Sequence, residues 1–78
     1  MKTLTIKTSA MRSGYQATLA DDPGTKATSA AGPYFAAYSL AVRLFLGHSK
    51  LAQHKREDLD RVRVRPIGHG SYRATYNY

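Results

Sequence analysis

The chain has 78 residues, no cysteine, and twelve Lys and Arg against five Asp and Glu, for a formal net charge of +7. That length makes one domain, residues 1–78, near the lower size at which a single core suffices, and the lack of cysteine excludes disulfides and thiolate metal sites. No apolar run approaches the roughly 20 residues of a membrane-spanning helix, and Met1 to Lys7 has no signal-peptide core, so the expected location is the cytoplasm with no membrane partner.

Thr3 to Ala10 alternates Leu4 and Ile6 with Thr3, Thr5 and Lys7, the pattern of a half-buried strand. Arg12-Ser13-Gly14 is a turn, and Tyr15 to Leu19 resumes the alternation, which predicts a hairpin. In Asp21-Asp22-Pro23-Gly24, Pro23 and Gly24 suit the central positions of a type II turn. Thr25 to Ala31 has small residues and little apolar area, as expected of an edge strand.

Gly32-Pro33 opens a helix, because proline fits the first helical position where its missing N–H would be unpaired anyway. Tyr34 to Leu46 is rich in Ala and Leu, and Gly47 is the expected left-handed stop. On a helical wheel Tyr34, Ala37, Tyr38, Ala41, Leu44 and Phe45 form the face expected to cover the sheet, with Leu40 beside it. Phe35, Val42 and Leu46 form a second stripe. Either the following loop folds back over that stripe, or it is a homodimer seam or docking face.

His48 to Asp60 is polar, with Leu51 and Leu59 as anchors, and reads as a loop holding at most one helical turn. Arg61-Val62-Arg63-Val64-Arg65 alternates strictly and predicts a fourth strand ended by Pro66. Gly68-His69-Gly70 is a turn, and Ser71 to Tyr78 alternates again, with Tyr72, Ala74, Tyr76 and Tyr78 on one side. The order β-β-β-α-β-β predicts an α+β fold, a small antiparallel sheet packed on one helix with its other face open.

The charge lies mostly in the C-terminal half, +5 after Ser39 against +2 before it. If Val62 and Val64 enter the core, Arg61, Arg63 and Arg65 form an outward row about 6.5–7 Å apart, which Arg73 joins if the hairpin register allows. With Tyr72 these arginines are the candidate partner-binding residues, since guanidinium forks suit phosphate and carboxylate. The bland account of the row is a solvated strand face that charge protects from edge pairing. His48, His54 and His69 lack metal-site spacing, and no nucleophile, base and orienting group can be assembled. The expectation is a protein without metal, cofactor or catalytic activity.

Gly14-Tyr15-Gln16-Ala17-Thr18-Leu19-Ala20-Asp21-Asp22-Pro23-Gly24, then Ala27 to Gly32 and the alanine-rich helix, resemble the front of HicB-type antitoxins over residues 4–46. That resemblance implies a hairpin, a third strand, a helix and a toxin-neutralising role. In size, architecture and lack of chemistry the whole chain is also similar to small phage-encoded anti-CRISPR proteins. This resemblance implies inhibition by docking on a CRISPR effector complex of the Cascade type, in the host bacterial cytoplasm, so that target DNA is excluded. The first expectation is such a non-enzymatic inhibitor; the alternatives are a direct nucleic-acid-binding module and a HicB-like antitoxin.

Overall fold

A computed structural model describes residues 2–47 and 54–77. Strands β1 (Lys2–Met11), β2 (Gly14–Leu19) and β3 (Asp22–Ser29) precede helix α1 (Pro33–Leu46), and a single turn α2 (Arg56–Asp60) leads into β4 (Val62–Gly68) and β5 (Ser71–Tyr76). The five strands form one antiparallel sheet in the order β3-β2-β1-β5-β4, so the expected α+β architecture is the observed one. β1 pairs with β2 through its second half and with β5 through its first. β3 and β4 are the edges, and α1 connects them across one face.

The helix is bounded as its sequence dictates. Pro33 stands in its first turn, and Gly47 at φ 102° donates its N–H to the Arg43 carbonyl, closing the C-terminus. The face it presents differs from the wheel-based expectation. Ala36, Ala37, Leu40, Ala41 and Val42 are fully buried, whereas Tyr34 and Leu44 keep 40% and 38% exposure. The sheet meets α1 with Ala17 and Ala74, both fully buried. Small residues on both sides allow close approach, and the large rings move to the margins of the seam. There Tyr34 meets Tyr72 edge-on at 6.3 Å between ring centroids, and Phe45 stacks on Tyr76 at 5.4 Å.

The second stripe is therefore not one exposed surface. Val42 belongs to the core, Leu46 is half-buried, and Phe35 alone is exposed, at 52%. The expected fold-back of the loop after the helix falls on residues 48–53, outside the described residues.

Three local expectations shift as well. The β2–β3 turn falls at Ala20-Asp21, with Leu19 opposite Asp22, rather than at Pro23-Gly24. Gly24 lacks the positive φ that a type II turn needs at its third position. Pro23 and Gly24 instead fall in a bulge, where the Asp22 carboxylate accepts hydrogen bonds from the Gly24 N–H at 3.2 Å and the Thr25 hydroxyl at 2.7 Å. β4 does not stop at Pro66 but continues to Gly68 through a second bulge. Proline is tolerated there because β4 is an edge strand. Finally, Arg61 precedes β4 and caps α2 in helical conformation.

Gly14 is a fixed point. Its φ is 156°, and a Cβ there would lie 2.6 Å from the Ser29 carbonyl oxygen, so β3 closes on β2 only because the side chain is missing. Gly14→Ala is expected to lower stability by about 1–3 kcal/mol, measured by urea denaturation. Leu40→Ala, which empties the largest buried position on α1, is expected to cost about 2–5 kcal/mol. Val42→Glu should unfold the chain rather than change its association state, readable as loss of the near-ultraviolet dichroism of its tyrosines.

Candidate functional site

Strand alternation and register decide which side chains share a face. Leu4 and Ile6 pair with Ala74 and Tyr72, and Val62 and Val64 pair with Tyr76 and Ala74, so all of these face α1. The opposite, uncovered face carries Lys7 on β1, Lys26 on β3, Arg63 and Arg65 on β4 and Arg73 on β5, all five exposed. Between them lie hydroxyls and an amide, among them Thr3, Thr5, Ser9, Gln16, Thr18 and Thr75. No carboxylate and no aromatic ring shares this face among the described residues.

Arg65 stands directly opposite Arg73. The Asn77 N–H donates to the Arg61 carbonyl at 3.1 Å while the Arg61 N–H goes to Asp58, and this bond sets the parity of the ladder, so that, two residues on each time, Arg63/Thr75 and Arg65/Arg73 are hydrogen-bonded pairs. The two guanidinium stems thus rise from Cα atoms about 5.5 Å apart. Like charges in that position oppose strand pairing. Arg63 is diagonal to Arg73, and Lys7 is diagonal to it on the β1 side through Thr5. None of the five side chains has a hydrogen-bond or ion-pair partner among the described residues. The acidic groups lie elsewhere: Asp21 is in the β2–β3 turn, Asp22 is tied into its bulge, and Glu57, Asp58 and Asp60 sit on α2, the first two in its first turn where the helix dipole favours them.

The candidate residues read from sequence are thus divided. Arg63, Arg65 and Arg73 come together. Arg61 is exposed but lies outside the strand, so alternation does not place it in the row. Tyr72 is on the other side of the sheet, half-buried beneath Tyr34. Lys7 and Lys26 were missed as members of the patch. Their outward position on an alternating strand was visible, but joining them to the arginines requires knowing that β1 lies beside β5.

A second feature lies on the helix side. Tyr34, Phe35 and Tyr38 of α1 face Leu59, Asp60 and the β4 edge across a groove of about 700 Å³. Tyr34 stacks on Tyr38 at 6.2 Å and meets Phe35 edge-on at 5.5 Å. Burial pushes the Tyr38 phenol above its ordinary range, with smaller upward contributions from Tyr34 and from the Asp60 carboxylate. The chain matches no known protein-family model, and no curated protein or solved structure matches it significantly.

Removing one member of the opposed arginine pair should relieve repulsion. Arg73→Gln is expected to stabilise the fold by a few tenths of a kcal/mol, and its advantage over wild type in thermal melts should shrink as salt rises. Tyr38 supplies a pH test. Its folded pKa lies above the unfolded value, so the folded state holds the proton more tightly and its contribution to stability is full below pH 10.0. That contribution declines as pH rises through the unfolded value and is lost above the folded one. A difference titration of tyrosinate absorbance against Tyr38→Phe should show Tyr38 ionising at higher pH than free tyrosine.

Proposed function

We propose that this is a non-catalytic binding protein whose open sheet face docks on the phosphate backbone of nucleic acid, free or held in a nucleoprotein complex. The observation that carries this reading is the Arg65–Arg73 pair, set among three further cations with no carboxylate on that face. A directly opposed arginine pair disfavours folding and is relieved by an anion lying between the two groups. Guanidinium forks bind phosphate oxygens in bidentate fashion. The threonine and serine hydroxyls between the cations supply neutral donors of the kind that position phosphates.

The same face argues against an acidic protein as its main ligand. Protein interfaces concentrate binding energy in a desolvated centre of aromatic and apolar side chains, and this face has no ring to supply one. It argues equally against base readout, which needs either an element inserted into a groove or exposed rings for stacking. Sequence-neutral phosphate contact fits what remains. A CRISPR effector that carries nucleic acid, the partner implied by the anti-CRISPR resemblance, offers such a backbone. Covering that backbone would hinder target DNA from binding there.

Five cations set a bound. Affinity for duplex DNA should fall with salt at a log–log slope no steeper than about −4.5, and Arg63→Gln, Arg65→Gln and Arg73→Gln combined should flatten it by about 2.7. The measurement is fluorescence anisotropy on labelled duplexes of unrelated sequence, all of which should bind alike. Absence of binding to both DNA and RNA at about 50 mM salt, where phosphate contacts are strong, would sink the reading.

A further inference from the structure

β4 is a sheet edge, and the register states which of its backbone groups point away from the sheet. The Arg61 carbonyl accepts from Asn77, and by the register Arg63 and Arg65 exchange hydrogen bonds with β5, so the N–H and C=O of Val62 and Val64 and the carbonyl of Pro66 point outward. Val62 is only 4% exposed, which leaves Val64 and Pro66 as the available part of the edge. The groove runs beside these groups, walled by Tyr34, Phe35 and Tyr38. Phe35 at 52% and Tyr34 at 40% are among the most exposed large apolar side chains of the described residues.

We infer that this edge accepts an extended peptide segment as an added strand, and that the segment alternates apolar with acidic residues. The alternation follows from the pleat. A strand laid along β4 turns every second side chain toward α1, where Tyr34 and Phe35 await apolar contact, and the others toward the open face, where Arg63 and Arg65 await carboxylates. Val64 supplies both a donor and an acceptor to the new ladder. Asp60 also lines the groove, within electrostatic reach of Tyr38, so the peptide's residue beside it is not acidic.

Two other occupants fit less well. A second copy pairing through its own β4 would set arginines against arginines across the joint and bring in Pro66, which has no N–H to donate. Nucleic acid suits the five-cation face, but the groove brings Tyr34, Phe35, Tyr38, Leu59, Val62 and Val64 to the same edge and adds the Asp60 carboxylate, which repels phosphate. The inference stands apart from the phosphate reading except that both use Arg63 and Arg65.

The test uses a fluorescein-labelled peptide of about eight residues alternating valine and glutamate, with a control of the same composition in two blocks. The alternating peptide is expected to bind at least about tenfold more tightly, a difference of about 1.4 kcal/mol. Phe35→Ala, a change at an exposed position, should remove most of that preference, and Arg65→Glu should weaken binding further. On adding the peptide, hydrogen exchange at the Val64 amide should slow. Equal binding of the two peptides would mean plain charge attraction and would overturn the proposal. An unchanged Val64 amide or unchanged affinity in Phe35→Ala would also overturn it, as would slow Val64 exchange in a peptide-free dimer. The two readings separate cleanly: Lys7→Gln with Lys26→Gln should weaken DNA and spare the peptide, while Phe35→Ala should do the reverse.

Discussion

The fold depends on how closely α1 can lie on the sheet, and alanine sets that distance. Ala36, Ala37 and Ala41 on the helix and Ala17 and Ala74 on the strands are all fully buried, while among the described residues Ile6, Leu40 and Val42 are the only large side chains buried to the same degree. Enlarging an alanine in such a seam would lift the helix, and the loss would spread along every contact between the layers. The close seam also leaves no room for rings at its centre. Tyr34, Tyr38, Phe45, Tyr72 and Tyr76 therefore pack around its margin, where their area still counts. The groove beside β4 is a direct consequence of rings displaced from the centre to the edge.

With α1 committed to one face, the other is left to water, and its composition follows different rules. Backbone ladders and cross-strand hydroxyls can hold an uncovered face together, but opposed arginines work against it. The two edges are handled differently too. On β3, outward-facing Lys26 has its carbonyl occupied by the Arg43 guanidinium at 3.0 Å, so the helix itself blocks continuation of the sheet there. On β4 the protection is a proline and flanking charge, which discourages a second copy while leaving Val64 able to bond.

The sequence was most informative where one local rule acted alone. Pro33 and Gly47 bounded α1, period-two alternation separated Val62 and Val64 from Arg63 and Arg65, and the small residues of β3 marked an edge. It was least informative where two surfaces had to agree. The wheel assigned Tyr34 and Leu44 to the core because large residues usually lie there, yet the alanines facing them across the seam decided otherwise. Pro23-Gly24 met the composition of a type II turn, but Asp22 gave those residues a local hydrogen-bonded alternative. The basic face was half legible: its arginines lay in one run, whereas Lys7 and Lys26 joined them only through strand order. Arg61 reads as part of the strand because the alternating sequence continues past the point at which the backbone is still helical.

The two surfaces meet at the same two residues, and that fixes the sign of any communication between them. Arg63 and Arg65 point to the open face while their backbone forms the strand beside the groove. A strand added to β4 with carboxylates on its open-face side lays negative charge over those guanidinium groups and competes with phosphate for them. Linkage makes the effect reciprocal, so bound phosphate weakens the peptide by the same factor that the peptide weakens phosphate. Arg73 and Lys7 lie one and two strands away from β4, Lys26 lies on the opposite edge, and all three keep most of their attraction for anions in either state. The coupling is therefore negative but partial, and it is screened by salt because the shared charges are exposed. A protein of this size can thus distinguish a bare polyanion from one accompanied by an acidic strand without any conformational change, using only the period-two geometry of its edge strand.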